Sequence, residues 1–467
     1  MTKSPSFFLL RNSFYPIAAV FLSFCSCSSP INNRGEFIAA YQNGGLPAAE
    51  ITLSKTIDKE LPNQDFTKSK DSVWLLLDRA TTRFAMGNVN EAISDYNLTI
   101  DAIDYYDQNC NAEALGKFVL DDEIGAYAGE DYEQILARVY FALALLHKGD
   151  TGNAFALLRQ SEEIQQDKRD LYAKSPLTEE YELIDNSVAK YLFAAMLEKK
   201  GDKSNAELLY RQTGNLLGIE NSNNSSGSGS GNNQQKYQEN LITTDSNNAT
   251  VIILCHNGNS PIKISGTSNA SVASAIALEM ILSANQIDPA WSSLTGIPVP
   301  VLMENWGSSP SPTYACLDGI KKPLLPWYDV AFTAEQQLQQ KMPVIVARGV
   351  ARFLLRRGAV AYAQNKDPTL GVLCDIGMLF ANASTKADTR SWTTLPNAID
   401  LTRFNLEPGE HALNIQVPAN GSKPFLANYK LQLSPHDLCV INVFNIHPGI
   451  TTVLIPQRFL INKGDCQ

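Results

Sequence analysis

Four stretches of the N-terminal half share one layout, and that layout leaves few folds open. Each has an amphipathic run, a glycine-containing turn and an alanine soon after: 37–53 with Gly44 and Ala49, 73–100 with Gly87 and Ala92, 135–158 with Gly149 and Ala154, and 189–210 with Gly201 and Ala206. Glycine readily takes the left-handed conformation that ends a helix. The small alanine then lets a second helix lie close against the first. Trp74, Phe84, Tyr96, Tyr140 and Tyr210 are expected to fill the space between them. The expectation is a set of helical hairpins, each hiding one apolar face.

In the second unit Ala80, Phe84, Gly87, Ala92 and Tyr96 fall on or beside the small, large, glycine, alanine and aromatic positions of the tetratricopeptide repeat (TPR), which these hairpins resemble. That repeat has a period of about 34 residues. Here the turn glycines stand 43, 62 and 52 residues apart, so insertions separate the units. A plain helical bundle is the alternative packing. One insertion, 101–133, is acidic, with Asp101, Asp104, Asp107, Glu130, Asp131 and Glu133 among its carboxylates and Lys117 as its one basic residue. It has no D-x-D-x-D-G calcium loop. It is expected to be a solvated loop whose last acids complement the helix dipole before Ile135.

The first residues carry Lys3 and Arg11, then an apolar run from Phe14 to Phe24, then Cys25 and Cys27. The run is too short to span a bilayer as an anchor and has the size of a signal-peptide core. With Ser26 before Cys27 and Ser28, Ser29 and Pro30 after it, the pattern resembles a bacterial lipoprotein signal. That resemblance implies acylation at Cys27, with Cys25 as the other candidate, and, from Ser28, sorting to the outer membrane facing the periplasm. The alternatives are an ordinary cleaved leader and a short retained anchor. Loss of 1–26 removes two basic residues and no acid, so the formal charge moves from −10 to −12. An acidic chain argues against a nucleic-acid partner, whose footprint is normally a basic domain.

Six cysteines follow: Cys110, Cys255, Cys316, Cys374, Cys439 and Cys466. An exported chain permits disulfides, and a bridge from Cys439 to Cys466 would tie down the tail, but spacing selects no connectivity. No CxxC pair occurs.

The segment NSNNSSGSGSGNNQQ (221–235) has no apolar side chain to offset the entropy of ordering and is expected to be a linker. The division is therefore a leader over 1–26, a TPR-like helical domain over 27–218, a low-complexity linker over 219–248 and a mixed α+β domain over 249–467. In the last, TVIILCH (250–256) is a continuous apolar strand. A helix is expected over 334–364, with Pro343 starting its well-packed part and Arg348, Arg352 and Arg356 along one stripe. Strands are expected at 411–417, 426–432, 438–444 and 451–459, ending in an antiparallel sheet or sandwich. Cys255 beside His256 is no catalytic pair, because neighbours in a strand point to opposite faces.

The segments GAYAGEDYEQILARVYFALALLHKGD (125–150), VIILCHNGNSP (251–261) and DTRSWTTLPNAI…LEPGEH (388–411), in this order, resemble an uncharacterised family of bacterial TPR-like lipoproteins. The family implies a helical N-terminal half and a mixed C-terminal half, and brings no activity with it. Its matched positions are Tyr127, Glu133, Arg390 and Trp392. Asp388 and Arg390 are expected to join a buried charge network, with Arg390 donating to carbonyls at a corner and Trp392 filling the gap beside Leu395 and Pro396. This is a structural or interface role.

H-E-x-x-H, G-x-S-x-G and the Walker pattern are absent. The one S-x-x-K, Ser187 to Lys190, starts a repeat helix. His147, His256, His411, His436 and His447 lack metal spacing. No catalytic residue, cofactor or metal is assigned. The sequence-level expectation is a lipid-anchored adaptor that binds an envelope or secreted protein through a TPR-like groove. The alternative is a ligand- or glycan-binding lipoprotein with Trp306, Trp327 or Trp392 as stacking surfaces, and less favoured still an enzyme.

Overall fold

The computed structural model describes residues 30–119, 125–174, 181–219, 231–241, 247–266, 299–304, 309–346, 348, 387–418, 424–447 and 450–461. The leader with Cys25 and Cys27 lies outside them, as do Trp306, Arg352, Arg356, Cys374 and Cys466.

The helices are α1 (Pro30–Glu60), α2 (Ser72–Ala85), α3 (Val89–Val119), α4 (Asp131–Lys148), α5 (Thr151–Ala173), α6 (Ser187–Lys199), α7 (Lys203–Leu216) and α8 (Gly231–Asn240). Helices α2–α3, α4–α5 and α6–α7 form hairpins. In the second, Gly149 ends α4 at φ 87°, and Asp150 then caps α5 by accepting from the Asn153 N–H at 3.1 Å. Asp202 and Asn205 repeat the cap on α7 at 3.3 Å. Ala49, Ala92, Ala154 and Ala206 are all fully buried, as the spacing predicts. In α1 the break falls at Gly45 (φ 69°) rather than at Gly44, and Pro47 follows it. Helix α8 occupies part of the segment expected as a linker. It is held by Tyr237, whose hydroxyl donates to the Pro326 carbonyl at 2.9 Å.

The strands are β1 (Ala249–Asn257), β2 (Ile262–Gly266), β3 (Val299–Met303), β4 (Tyr314–Leu317), β5 (Ile320–Pro323), β6 (Leu325–Asp329), β7 (Ala398–Leu406), β8 (Gly409–Val417), β9 (Phe425–Leu433), β10 (Leu438–His447) and β11 (Ile450–Leu454). A helix over 330–346, α9, follows β6. It starts well before Pro343, because Asp329 caps it by accepting from the Phe332 N–H at 2.8 Å. The strand expected over 451–459 stops at Leu454, and Pro456 opens a short turn at Gln457–Phe459.

Described strands form a five-stranded sheet in the order β11-β10-β1-β7-β6, a four-stranded sheet in the order β5-β4-β8-β9, and the pair β2-β3. All pairings are antiparallel except β1 with β10. The period-two alternation of β1 divides two cores. Ile252 and Leu254 join the core shared with the helices, while Val251, Ile253 and Cys255 join the core shared with Leu317, Leu413, Ile415 and Leu431 of the four-stranded sheet. The order of layers is therefore helices, five-stranded sheet, four-stranded sheet. This explains the unbroken apolar run of β1, which is covered on both faces. Cys255, Cys316 and Cys439 carry free thiols. Cys439 is buried between the two sheets, and the expected partner Cys466 lies outside the described residues.

Candidate functional site

The segment 387–397 forms neither helix nor regular strand, yet Ala387 and Thr389–Leu395 are all buried. Buried backbone without a ladder needs partners from elsewhere. Here they come from the helices. Glu133 of α4 accepts from the Trp392 N–H at 2.8 Å, and Asp78 of α2 accepts from the Thr394 N–H at 2.7 Å and its hydroxyl at 3.0 Å. Arg34 of α1 donates to the Thr389 carbonyl and, at 2.6 Å, to the Ser391 hydroxyl. Buried acids inside apolar helices thus act as acceptors for a strap laid across the helix ends.

The four positions singled out by the family resemblance, Tyr127, Glu133, Arg390 and Trp392, come together at this strap. Arg390 holds Asp388 at 2.9 and 2.7 Å, donates to the Gly125 carbonyl at 2.7 Å and the Lys70 carbonyl at 3.3 Å, and lies 5.3 Å over the Tyr127 ring. The expected corner is present, although Asp388 and Arg390 lie outside any regular strand. Burial opposes the charged form of Asp388, but Arg390 offsets it and holds the carboxyl below its usual range. The Tyr127 hydroxyl donates to Glu133, whose carboxyl burial pushes up. The Trp392 indole donates to the Thr81 and Thr394 hydroxyls at 3.0 and 3.1 Å and meets the Tyr140 ring at 5.2 Å.

Tyr140 in turn bonds His256 Nδ1 at 2.8 Å, and His256 Nε2 stands 3.1 Å from Asn442 Oδ1. With that oxygen as acceptor, Nε2 carries the proton and Nδ1 accepts from Tyr140. The ring stacks on Phe444 at 4.3 Å, and burial pushes its pKa down to about 4. This histidine is a neutral core residue. Its neighbour Cys255 faces the other core beside Thr313 at 3.4 Å, and burial pushes its thiol well up. Trp327, expected as a stacking surface, is buried against Tyr191 with ring centres 4.5 Å apart, and Trp392 is likewise interior. Ser187 donates to the Trp327 carbonyl, and Lys190 pairs with Glu162.

The insertion 101–133 is not the loop expected, because α3 runs through it to Val119. Its last acids do stand at the start of α4 as expected, Glu133 accepting from the Glu130 N–H at 3.0 Å, but they are also paired with lysines from distant parts of the chain. Glu130 takes the ammonium groups of Lys263 and Lys341, each at 2.6 Å, and Asp131 takes Lys168 at 3.0 Å and the Tyr172 hydroxyl at 2.6 Å. Burial works against the charge of Glu130, but the two lysines outweigh it and hold its carboxyl far below the usual range. This network forms one wall of a cleft of about 630 Å³ beside α9. Tyr132, Tyr172, Tyr181, Leu302, Val344 and Ile345 supply much of the remaining lining. Gln337 also lines it, 1% exposed, and among the described residues neither its amide nitrogen nor its oxygen finds a partner. Gln337 shares its helix with Gln336, Gln339 and Gln340, so nothing in the sequence sets it apart. Asp78 and Arg34 were equally silent, because their partners in the strap lie more than 300 residues away.

Among the described residues no group of His, Cys, Asp or Glu is arranged to hold a metal, and no helix is long and apolar enough to cross a membrane. Of the carboxylates that line the cleft, Glu130 takes Lys263 and Lys341 and Asp388 takes the Arg390 guanidinium; Arg348 of the expected arginine stripe lines it as well. The arrangement is suited to holding a ligand against shaped apolar walls. No family model, curated protein or solved structure matches this chain.

Proposed function

We propose that the chain is a lipid-anchored binding protein of the bacterial envelope, tethered through Cys27 and facing the periplasm, that holds a ligand in the cleft beside α9. In this reading the hairpins are TPR-like units whose inner faces serve as scaffold for the sheet. One observation carries the reading. The faces that would make a partner groove are filled from within, by contacts such as Phe84 on Phe444, Tyr140 on His256 and Tyr191 on Trp327, while the cleft of about 630 Å³ beside α9 stands open between aromatic and aliphatic walls. The adaptor reading draws on the exposed Leu208 and Leu216 of α7 and Leu171 of α5, which point a partner protein to the outer helices.

Two measurements test the proposal. Labelled palmitate should enter the native protein and be lost in Cys27→Ser. Native mass spectrometry of protein extracted from its own membranes should show an adduct that Val344→Trp, which fills the cleft, removes. Label retained in both Cys27→Ser and Cys25→Ser, or an adduct unchanged by Val344→Trp, would overturn the tether or the cleft respectively.

A further inference from the structure

We infer that the side of the molecule carrying β2 and the strap rests on the bilayer that holds Cys27; this rests on the tether proposed above. The first observation is the length of that tether. Only Ser28 and Ser29 stand between Cys27 and the start of α1 at Pro30. An extended chain covers at most about 3.6 Å per residue and a helix rises about 1.5 Å per residue, so the Arg34 backbone is held within about 17 Å of the Cys27 backbone. The acyl chains of an anchored cysteine lie in the hydrocarbon, which fixes Cys27 itself at the headgroup level. A compact chain of this length has a radius of gyration of about 22 Å. The tether is shorter than that, so the body cannot roll over it, and one side is held to the bilayer.

The second observation says which side. Arg34, in the second turn of α1, donates to the Lys263 carbonyl of β2 at 3.1 Å, to the Thr389 carbonyl of the strap and to Ser391 Oγ at 2.6 Å. Arg34 is buried, so these bonds belong to the packed body. Lys263 and Ser391 line the cleft beside α9. The tether therefore enters the protein at a wall of the cleft, and a ligand of the cleft is met at the membrane surface. The remote side is equally defined. Phe37 and Tyr41 pack α1 on the helix side of the five-stranded sheet, whereas the four-stranded sheet covers its other side.

The chemistry of the two sides agrees with this. Phe332 of α9 is 51% exposed and lines a second cavity that shares Pro261, Pro300 and Leu302 with the cleft, and Ile264, next to Lys263 on β2, is 37% exposed. Large apolar side chains gain from burial at the boundary of headgroups and acyl chains. On the outer face of the four-stranded sheet, Lys321 donates to Gln416, Gln416 to Asn414 and Asn414 to Asn428, a polar chain suited to water.

The test uses the full lipidated chain in vesicles of phosphatidylethanolamine and phosphatidylglycerol. A photoreactive benzoyl-phenylalanine replaces Ile264, Phe332 or, on the remote side, Asn428. These positions lie at the surface, and the three variants should melt together. Irradiation should join lipid to the chain severalfold more often from Ile264 and Phe332 than from Asn428, as read by mass spectrometry. Inserting about twenty Gly and Ser residues between Ser29 and Pro30 adds a root-mean-square reach of about 25 Å and should bring labelling from Ile264 and Phe332 down towards that from Asn428. Labelling from Asn428 equal to or above the other two, with the chain retained on the vesicles, would overturn the orientation and keep the anchor. Labelling that the longer tether leaves unchanged would overturn the short tether as the cause of the orientation. A chain that leaves the vesicles would overturn the tether itself.

Discussion

Replacing Asp78 by Asn should make the protein's stability less sensitive to pH, by an amount the structure sets. Asp78 of α2 is fully buried beneath the strap, and burial is the main force on its carboxyl. The Thr394 amide and hydroxyl and the positive charge of Arg34 pull the other way and leave its pKa raised to about 7. The neighbouring Tyr41 and Thr393 bring no further charge at neutral pH. The Thr394 bonds go to Oδ1, while Oδ2 has no partner. The folded chain therefore holds this proton more tightly than the unfolded chain, whose carboxyl titrates near 3.8. The contribution to stability is fully present below that lower value and is lost as pH rises through the folded pKa. Between pH 5 and pH 8 the loss is on the order of 3 kcal/mol. Asparagine keeps the Oδ1 acceptor and cannot ionise. Urea unfolding of both proteins at pH 5 and pH 8 isolates the effect, because other titrating groups cancel in the difference. The variant should gain on the native protein by about 3 kcal/mol across that interval. A difference independent of pH would mean that Asp78 is ionised throughout, and would refute the assignment of burial as the dominant force.

Arg403 pairs with Glu198 at 2.8 Å and reaches the Tyr210 hydroxyl at 2.8 Å, with both charged side chains almost fully buried. Arg403→Met should lower stability by about 3–5 kcal/mol because it strands the carboxylate, and Arg403→Met with Glu198→Gln should recover part of that in urea unfolding. Arg390→Lys keeps a charge beside Asp388 but loses the forked geometry that also reaches the Gly125 and Lys70 carbonyls. It should cost about 2–4 kcal/mol and speed proteolysis of the strap, as read by limited digestion. Trp392→Ala should cost about 3–5 kcal/mol by thermal unfolding, through the cavity it leaves between Tyr140 and Thr81. Gly149→Ala places a side chain at φ 87° and should lower stability in urea unfolding by about 1–2 kcal/mol, through backbone strain alone.

Much of the architecture was legible because it is local. Glycine–aspartate turns followed by a buried alanine announce a helix end, a cap and a close approach, and Gly149–Ala154 and Gly201–Ala206 do this in the structure. Strands β8 and β9 declare themselves by alternation, and β1 by an apolar run covered on both faces. Tyr127, Glu133, Arg390 and Trp392 lie far apart in sequence and meet at one strap. Other readings failed where charge was judged by composition alone. The acidic stretch 101–133 reads as a solvated loop, yet α3 runs through it to Val119, and Lys263 and Lys341, far along the chain, pair with Glu130 and Asp131 at its end.

The sequence alone therefore determined the helical hairpins and the strands with a clear alternation or apolar run, since period and turn chemistry act over a few residues, but it did not mark α8 or the strands β3 to β7. Only the tertiary structure decided what the inner faces meet. It laid the five-stranded sheet into the hairpins, brought Asp78 and Glu133 under the strap, and left the Gln337 amide of α9 without a partner among the described residues. The reason is physical. Burial of an apolar face is favourable against any apolar surface, so its pattern names no partner, whereas a hydrogen bond or ion pair exists only once folding has placed two distant groups about 3 Å apart.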